Sequence, residues 1–535
     1  MAQRAGVSGD RSGEVLAFGE PRARWVLAAT VLGSGMAFID ATVVNVALPR
    51  IGADLGAGLG GLQWTVNAYT LTLASLILLG GSLGDRFGRR RIFVVGVVWF
   101  AAASLLCGLA PDIRTLVAAR ALQGVGGALL TPGSLAILQA TFRPEDRARA
   151  IGAWSGLAGI AGALGPFLGG WLVQAASWRL VFLINLPLAG AVVAVAVRHV
   201  PESRDPLAAR RLDLPGAVLG AVGLGALTYG LIAWQGGRLL EPVVLVPLLV
   251  AVTALLGFVA RERWAGQPML PLAIFSSRLF SATNAVTFAV YAALGGVFFL
   301  LVLQLQVVSG FSPMAAGTSL LPVTALLLLL SARAGALAQR IGPRLPMTVG
   351  PLLAALAVAG LTRIGPDASY VVDVLPWAIL FGLGLSLTVA PLTATVLAAA
   401  PDRHAGLASG VNNAVARVGG LLAVAALPLV AGLSGEAYSD AALLDPAFRT
   451  AMTVCAVLLA AGGLLAAVTI RTPAGAPAPE CPRRHCAVDG PPLETCPHQG
   501  PLWPPAEAAR GEQSSLAGAM SPGARRGPPR GATPG

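Results

Sequence analysis

Fourteen apolar segments follow one another along this 535-residue chain, and they constrain its fold more than any motif does. They lie near 25–48, 62–84, 92–110, 115–139, 148–172, 179–199, 212–234, 241–260, 280–305, 314–335, 345–364, 374–398, 405–433 and 450–470. An apolar run of about 20 residues is the length an α-helix needs to cross the hydrocarbon of a bilayer. Composition agrees: 55% of residues are hydrophobic and 12% charged, with mean hydropathy +0.74, whereas soluble domains carry about 25% charge. The sequence therefore predicts an all-α polytopic membrane protein. The net charge of +12 reflects arginines at membrane edges and argues against a nucleic-acid partner. All 37 basic residues are arginine. A Walker A loop and a lysine Schiff base are thereby excluded, and with them ATP-driven pumping by this chain.

Orientation follows from the arginines, which concentrate in cytoplasmic loops. Loops joining even to odd spans hold 18 of them, among them Arg86, Arg143, Arg204, Arg261, Arg340 and Arg403; odd-to-even loops hold 6. The first set is assigned to the cytoplasm of a cell (inner) membrane. Both termini are then cytoplasmic, and an even span count is required. Residues 1–24 carry Arg4, Arg11, Arg22 and Arg24, but no cleavage-like site follows the first apolar run, so the first span reads as an uncleaved helix. Residues 471–535 are rich in Pro, Gly, Ala and Arg and read as a disordered cytoplasmic tail. Cys481, Cys486, Cys496, His485 and His498 cluster there in a spacing that fits no standard metal finger, and no metal or other cofactor is expected. Cys107 and Cys455 lie in spans, where free cysteine acts as a small hydrophobe.

An internal repeat divides the chain. A shift of 254 residues carries Gly81, Leu83, Arg86, Gly88 and Arg90 onto Gly335, Leu337, Arg340, Gly342 and Arg344, with Asp85 becoming Gln339. The same shift carries Gly152, Ser155, Gly156 and Gly165 onto Gly406, Ser409, Gly410 and Gly419. The expected order is a six-helix bundle over 25–199, two extra helices with their loops over 200–279, and a second six-helix bundle over 280–470. Two such halves around a central path are how many secondary transporters are built.

Between the second and third spans, GSLGDRFGRRR at 81–91 packs Gly81, Gly84, Asp85, Arg86, Gly88, Arg89 and Arg90 into a loop too short to be a domain. A solvated charge run that only sets topology would account for the arginines. The full spacing G-x-L-x-D-R-x-G-R-R resembles the helix 2–3 loop signature of the major facilitator superfamily, a family of secondary transporters. Asp40 lies inside the first span and Arg120 inside the fourth. Charges at that depth are costly, about 2.5–3.5 kcal/mol each on insertion scales, and must be paired or hydrated. Either they form a structural ion pair, or Asp40 exchanges a proton as its surroundings change. RALQGVGGA at 120–128, with Gln123 three residues after Arg120, resembles the family's fourth-helix signature, whose arginine is linked to proton transfer. In GALGPFLGG at 162–170, Gly165, Gly169 and Gly170 permit close packing and Pro166 interrupts the helical hydrogen bonds. The run resembles the family's antiporter signature, although Ala161 stands where the longer form has glycine.

DATVVNVALP at 40–49, QWTVNAYTL at 63–71, SWRLVFLINLP at 177–187 and GLASGVNNAVARVGG at 406–420 together resemble the fourteen-helix drug:proton antiporters of that superfamily. The resemblance covers about residues 25–470. It implies alternating access, with a proton moving inward and a small hydrophobic or amphiphilic molecule moving outward. Asp40 would bind the proton, Arg120 would tune its affinity, and Asp85 would act as a conformational latch against a neighbouring helix N-terminus in the outward-facing state. Candidate substrate-lining residues are Asn45, Trp64, Tyr69, Gln123, Tyr291, Gln304 and Asn413, each of which has a packing role as the alternative. Trp178 is expected to anchor the start of span six at the membrane interface. Spans ten and thirteen carry no acid, which favours neutral, weakly cationic or amphiphilic cargo over dications. An exporter dedicated to one endogenous metabolite or antibiotic shares all of this chemistry. A non-transporting membrane sensor is the alternative from another class. No catalytic Ser–His–Asp or metal constellation lies in a span, so no enzyme is expected.

Overall fold

The computed structural model describes residues 15–205, 213–235, 237–266, 268–399, 405–435, 437–470, 483–485 and 492–494. Arg4, Arg11, Arg210, Arg211 and Arg403, and Cys481, Cys486, Cys496 and His498 of the tail, lie outside the described residues. The chain divides into two compact units, Met1–Arg471 and Thr472–Gly535. In the second, Arg483–His485 pairs antiparallel with Pro492–Glu494, a short strand pair in a segment expected to lack regular structure. The rest of the tail is not among the described residues.

The first unit is helical. Its rods are α1 (Pro21–Leu55), α2 (Leu59–Phe87), α3 (Arg89–Gly108), α4 (Ile113–Thr141), α5 (Pro144–Ala175), α6 (Leu180–His199), α7 (Leu214–Trp234), α8 (Pro242–Trp264), α9 (Arg278–Val308), α10 (Pro313–Ile341), α11 (Arg344–Leu361), α12 (Tyr370–Ala398), α13 (Ala405–Val430) and α14 (Ala441–Thr469). Thirteen segments among the described residues are long and apolar enough to cross a membrane. The remaining rod, α5, follows the fifth expected span over 32 residues. Local chemistry sets many ends. Asp112, Asp213, Ser277, Ser312 and Asp440 accept hydrogen bonds from the first exposed amides of α4, α7, α9, α10 and α14. Proline opens α1, α5, α8 and α10, where its missing N–H costs nothing.

The repeat is visible in backbone angles. Gly88 (φ 115°) turns the chain from α2 to α3, and Gly342 (φ 86°), 254 residues later, turns it from α10 to α11. Gly56 (φ 59°) ends α1, and Gly310 (φ 68°), again 254 residues later, follows α9. These are conformations that residues with a Cβ resist. The shift also carries Asp40 onto Leu294 and Arg120 onto Val374, so the scaffold repeats and the buried charges do not.

The two halves share one core at one end of the bundle and have separate cores at the other. The shared cluster joins Val44, Leu48, Ile51, Leu62 and Phe182 to Val297, Leu301, Leu427 and Phe448. Hydrogen bonds bridge the halves at that end: Gln63 Nε2 to the Val424 carbonyl (2.6 Å), Gln306 Nε2 to the Val46 carbonyl (3.1 Å), Tyr438 Oη to the Ala57 carbonyl (2.7 Å) and the Leu59 amide to the Gly435 carbonyl (2.8 Å). At the opposite end, where the arginine-rich turns at Gly88 and Gly342 lie, the first half closes around Met36, Ile77, Phe93, Phe100 and Ile137. The second half closes there around Phe280, Val396, Ala408 and Val411. The extra pair α7 and α8 rests on α2 and α13, with Tyr229 against Trp64 (6.3 Å between rings) and Gln235 Nε2 donating to the Ala425 carbonyl (2.9 Å).

Trp178 departs from its expected place at the membrane interface. It is buried, at 1% exposure, and its indole N–H donates to Asp54 Oδ2 (2.9 Å). Arg179 stacks on it at 4.4 Å and donates to the Ala110 carbonyl. The pair pins the start of α6 to the end of α1 and the α3–α4 turn. A sequence window identifies an amphipathic ring but not that a neighbouring carboxylate will take its N–H.

Candidate functional site

Asp40 and Arg120 meet inside the first bundle. Arg120 Nη1 donates to Asp40 Oδ2 at 2.6 Å, and the two residues are 1% and 0% exposed. Glycine spacing on α4 makes this geometry accessible. A Cβ at Gly124 would strike Thr72 Oγ1 and the Tyr69 carbonyl of α2; one at Gly126 would lie 2.7 Å from the Phe100 amide of α3. α4 therefore sits tightly between α2 and α3, and Thr72 Oγ1 donates to the Ala121 carbonyl (2.8 Å). At that separation Arg120 Nε reaches the Thr65 carbonyl (2.9 Å) and its guanidinium carbon lies 4.5 Å from the Tyr69 ring centre and 5.7 Å from that of Phe182.

The remaining polar atoms close the network. Gln123 Nε2 donates to Asp40 Oδ1 (2.7 Å) and to Ser104 Oγ (2.8 Å), while Gln123 Oε1 accepts from Arg120 Nη1 (2.6 Å). Asn185 Nδ2 donates to both Asp40 Oδ1 and Ser104 Oγ at 3.3 Å. A buried ion pair persists only when its other lone pairs and protons are bonded; Gln123, Asn185 and the Thr65 carbonyl bond the pair directly, and Ser104 holds Gln123 and Asn185, while Asn185 Oδ1 has no partner among the described residues. Asn185 and Ser104 escape a reading by motif. Their signal was only that of polar residues in apolar helices, Asn185 within SWRLVFLINLP.

The loop expected over 81–91 is helical except at Gly88: α2 runs to Phe87 and α3 starts at Arg89, and the single-residue turn docks on the segment after α6. Asp85 pairs with Arg89 one helical turn on, at 2.8 Å. The acid at the N-terminus of α3 is instead Glu202, which accepts from the amides of Arg90 (3.1 Å) and Arg91 (3.2 Å), where the helix dipole favours negative charge. Gly88 lies against it: a Cβ there would stand 2.7 Å from Glu202 Oε1. The Arg89 amide donates to the Ser203 carbonyl, and Arg90 Nη1 to the Val200 carbonyl.

The α5 glycines divide their contacts between the halves. Gly165 and Gly169 face α1, where a Cβ on Gly169 would lie 2.6 Å from Val43 Cγ2. Gly170 faces the start of α10, with Met314 Cα and the Pro313 carbonyl each 2.6 Å from where a Cβ would be. On α10, Gly317 abuts the Pro166 carbonyl. The signature thus lies at the end of the bundle where the halves are joined.

Substrate-lining candidates scatter. Trp64 borders a groove with Tyr229, Gly225, Val246 and Pro247 of α7 and α8, not the second bundle. Tyr69 and Gln123 belong to the Arg120 surroundings. Gln304 is fully buried and holds the Ile364 carbonyl (3.0 Å) and Asp445 Oδ1 (2.7 Å). Asn45 has a buried Oδ1 with no hydrogen-bond partner. Asn413 accepts from Arg417 Nε one turn along α13 (3.4 Å), and the Tyr291 carbonyl of α9 lies 3.7 Å from where a Cβ on Gly420 of α13 would be. Among the described residues no group of His, Cys, Asp and Glu has the arrangement to hold a metal ion.

Two helical halves joined at one end, the first holding a buried Asp–Arg pair in its interior, define a multi-pass membrane transporter. The chain belongs to the Major Facilitator Superfamily, which its residues 30–424 match; the family's members are transporters, not enzymes. It is 38% identical to the tetracenomycin C resistance and export protein of Streptomyces glaucescens, over 77% of each chain. It is 36% identical to the methylenomycin A resistance protein of Bacillus subtilis, over 81% of this chain and 93% of that one. It is 37% identical to the multidrug resistance protein Stp of Mycobacterium tuberculosis, over 79% of each. Among solved structures, a D-xylose–proton symporter matches with TM-score 0.61 at 12% identity, over 84% of this chain and 98% of that one. A bacterial homologue of the human lysosomal transporter Spinster matches with TM-score 0.60 at 17% identity, over 84% and 97%.

Proposed function

We propose that this chain is a proton-coupled antiporter of the cell membrane that expels small hydrophobic or amphiphilic molecules, antibiotics among them. The observation that carries the reading is the sealed Asp40–Arg120 pair. A carboxylate held this way cannot exchange a proton with water until the helices around it part, which ties protonation to conformation. Asp40 carries the proton and Arg120 stabilises the ionised form. Relatives named for resistance and export, to single antibiotics in several cases, support the direction and chemical class of the cargo.

The arginine count assigns the Gly88 and Gly342 end to the cytoplasm and both termini with it. The joined end is then outside, and the arrangement described here is inward-facing, ready to admit cargo from the cytoplasm or membrane. Gly165, Pro166, Gly169 and Gly170 form the surface on which α5 meets α1 and α10 in this state. Asp85 and Arg89 hold each other while Glu202 holds the end of α3. In the outward-facing state Asp85 is free to take a new partner, the latch its loop signature implies.

Proton flux in everted vesicles tests the reading. With a pH gradient imposed, hydrophobic compounds should collapse it in wild type and not in Asp40→Asn. Equal collapse in both would remove Asp40 from the coupling. Export of a single compound from a broad panel would favour a dedicated exporter.

A further inference from the structure

Arg417 sits midway along α13, and the proton mechanism does not use it. It is half-buried, and its Nε makes one long hydrogen bond, to Asn413. Among the described residues no carboxylate pairs with it. Arg120, by contrast, is enclosed by acceptors and rings. A guanidinium stays charged at every physiological pH, so at this depth it needs an anionic or strongly polar partner.

The surroundings of Arg417 lie on both halves. α13 runs antiparallel to α2: Gln63 bonds the Val424 carbonyl near one end, and a Cβ on Gly410 would stand 2.8 Å from Leu78 near the other. Arg417 falls between these contacts, at the middle of the seam. Tyr291 of α9 packs on the same stretch of α13: a Cβ on Gly420 would lie 3.7 Å from its carbonyl. Asn67, one turn from Gln63 on the same face of α2, is fully buried with both side-chain amide atoms unpartnered. Buried amides are ordinarily bonded, so α2 carries an unused donor and acceptor one turn from Gln63, on the face that meets α13.

We propose that Arg417 recognises an acidic group, a carboxylate, sulfonate or acidic phenol, on an otherwise apolar cargo, with Asn413 beside it and the unpartnered Asn67 on the facing helix α2. The proposal rests on the export reading and narrows its cargo from amphiphiles in general to those carrying one acid.

Two fluorescent probes with one ring skeleton test it: anilinonaphthalene sulfonate, and phenylnaphthylamine, which lacks the sulfonate. Binding to the purified full-length protein is expected to weaken about tenfold for the sulfonate in Arg417→Gln, equivalent to about 1.4 kcal/mol. The neutral probe should change less than about twofold, and Arg417→Lys should recover part of the loss. On wild type, naphthalene sulfonate should displace the sulfonate probe while naphthalene at equal concentration does not. Equal loss of both probes, no loss of either, or failure of wild type to bind the sulfonate would each overturn the proposal. Proton-linked transport of the neutral probe, and its loss in Asp40→Asn, reports separately on antiport. Antiport intact with no effect at Arg417 defeats only the acid-recognition site.

Discussion

Cutting the Asp40–Arg120 pair from one side should harm the protein more than removing both charges. Arg120→Gln deletes the bonds to Asp40, Gln123 Oε1 and the Thr65 carbonyl and leaves a carboxylate at 0% exposure with Gln123 and Asn185 alone. Asp40→Asn strands the guanidinium, and the new amide must turn its NH2 toward Arg120 or toward Gln123 and Asn185, all donors at that contact. Breaking one side of a buried pair costs about 3–5 kcal/mol. In the double variant no uncompensated charge remains. Its main loss is the extra hydrogen bond to the Thr65 carbonyl, which keeps its own bond within α2, about 0.5–1.5 kcal/mol, and the contact with the Tyr69 and Phe182 rings. The double variant should therefore be more stable than either single one. Thermal unfolding of the purified proteins in detergent, followed by tryptophan fluorescence, measures the cycle. Additive losses, with the double variant worst, would refute the claim that the two residues act as one unit.

Gly170→Ala puts a methyl group against Met314 and the Pro313 carbonyl and should destabilise the joined end by about 1–3 kcal/mol. A cysteine introduced at Gln306 should then react faster with an impermeant thiol reagent added from outside. Glu202→Gln should weaken the cap on α3 by about 0.5–2 kcal/mol, read as faster hydrogen exchange at the Arg90 and Arg91 amides. Trp64→Ala should loosen α7 and α8, detectable as faster proteolysis there, and leave the substrate panel unchanged, because Trp64 packs on Tyr229. Asp112 has its carboxyl held below the usual value by bonds from Thr115 and the Arg114 amide. Its stabilisation of α4 is present above the unfolded-chain pKa and fades as pH falls through the depressed folded value. Asp112→Asn should flatten that acid limb in hydrogen exchange of the first turn.

The sequence by itself determined the class of fold. Apolar runs of bilayer length leave the backbone no option but helices, and arginine placement and the 254-residue shift organise them into two halves and an inserted pair. Asp40 and Arg120 were legible as partners because isolated charges at that depth are too costly to leave unpaired. Position along a helix does not reveal which neighbour its face will meet, and the tertiary structure decided that. It turned Trp64 toward α7, buried Trp178 against Asp54, assigned Glu202 to the N-terminus of α3, and completed the surroundings of the ion pair with Ser104 and Asn185. It also left Arg417 without a carboxylate at the middle of the seam. The physical reason is range: bilayer crossing and charge burial are priced by each residue against its solvent, whereas contacts depend on the rotation and register of helices distant in sequence, fixed only when glycines on several of them meet.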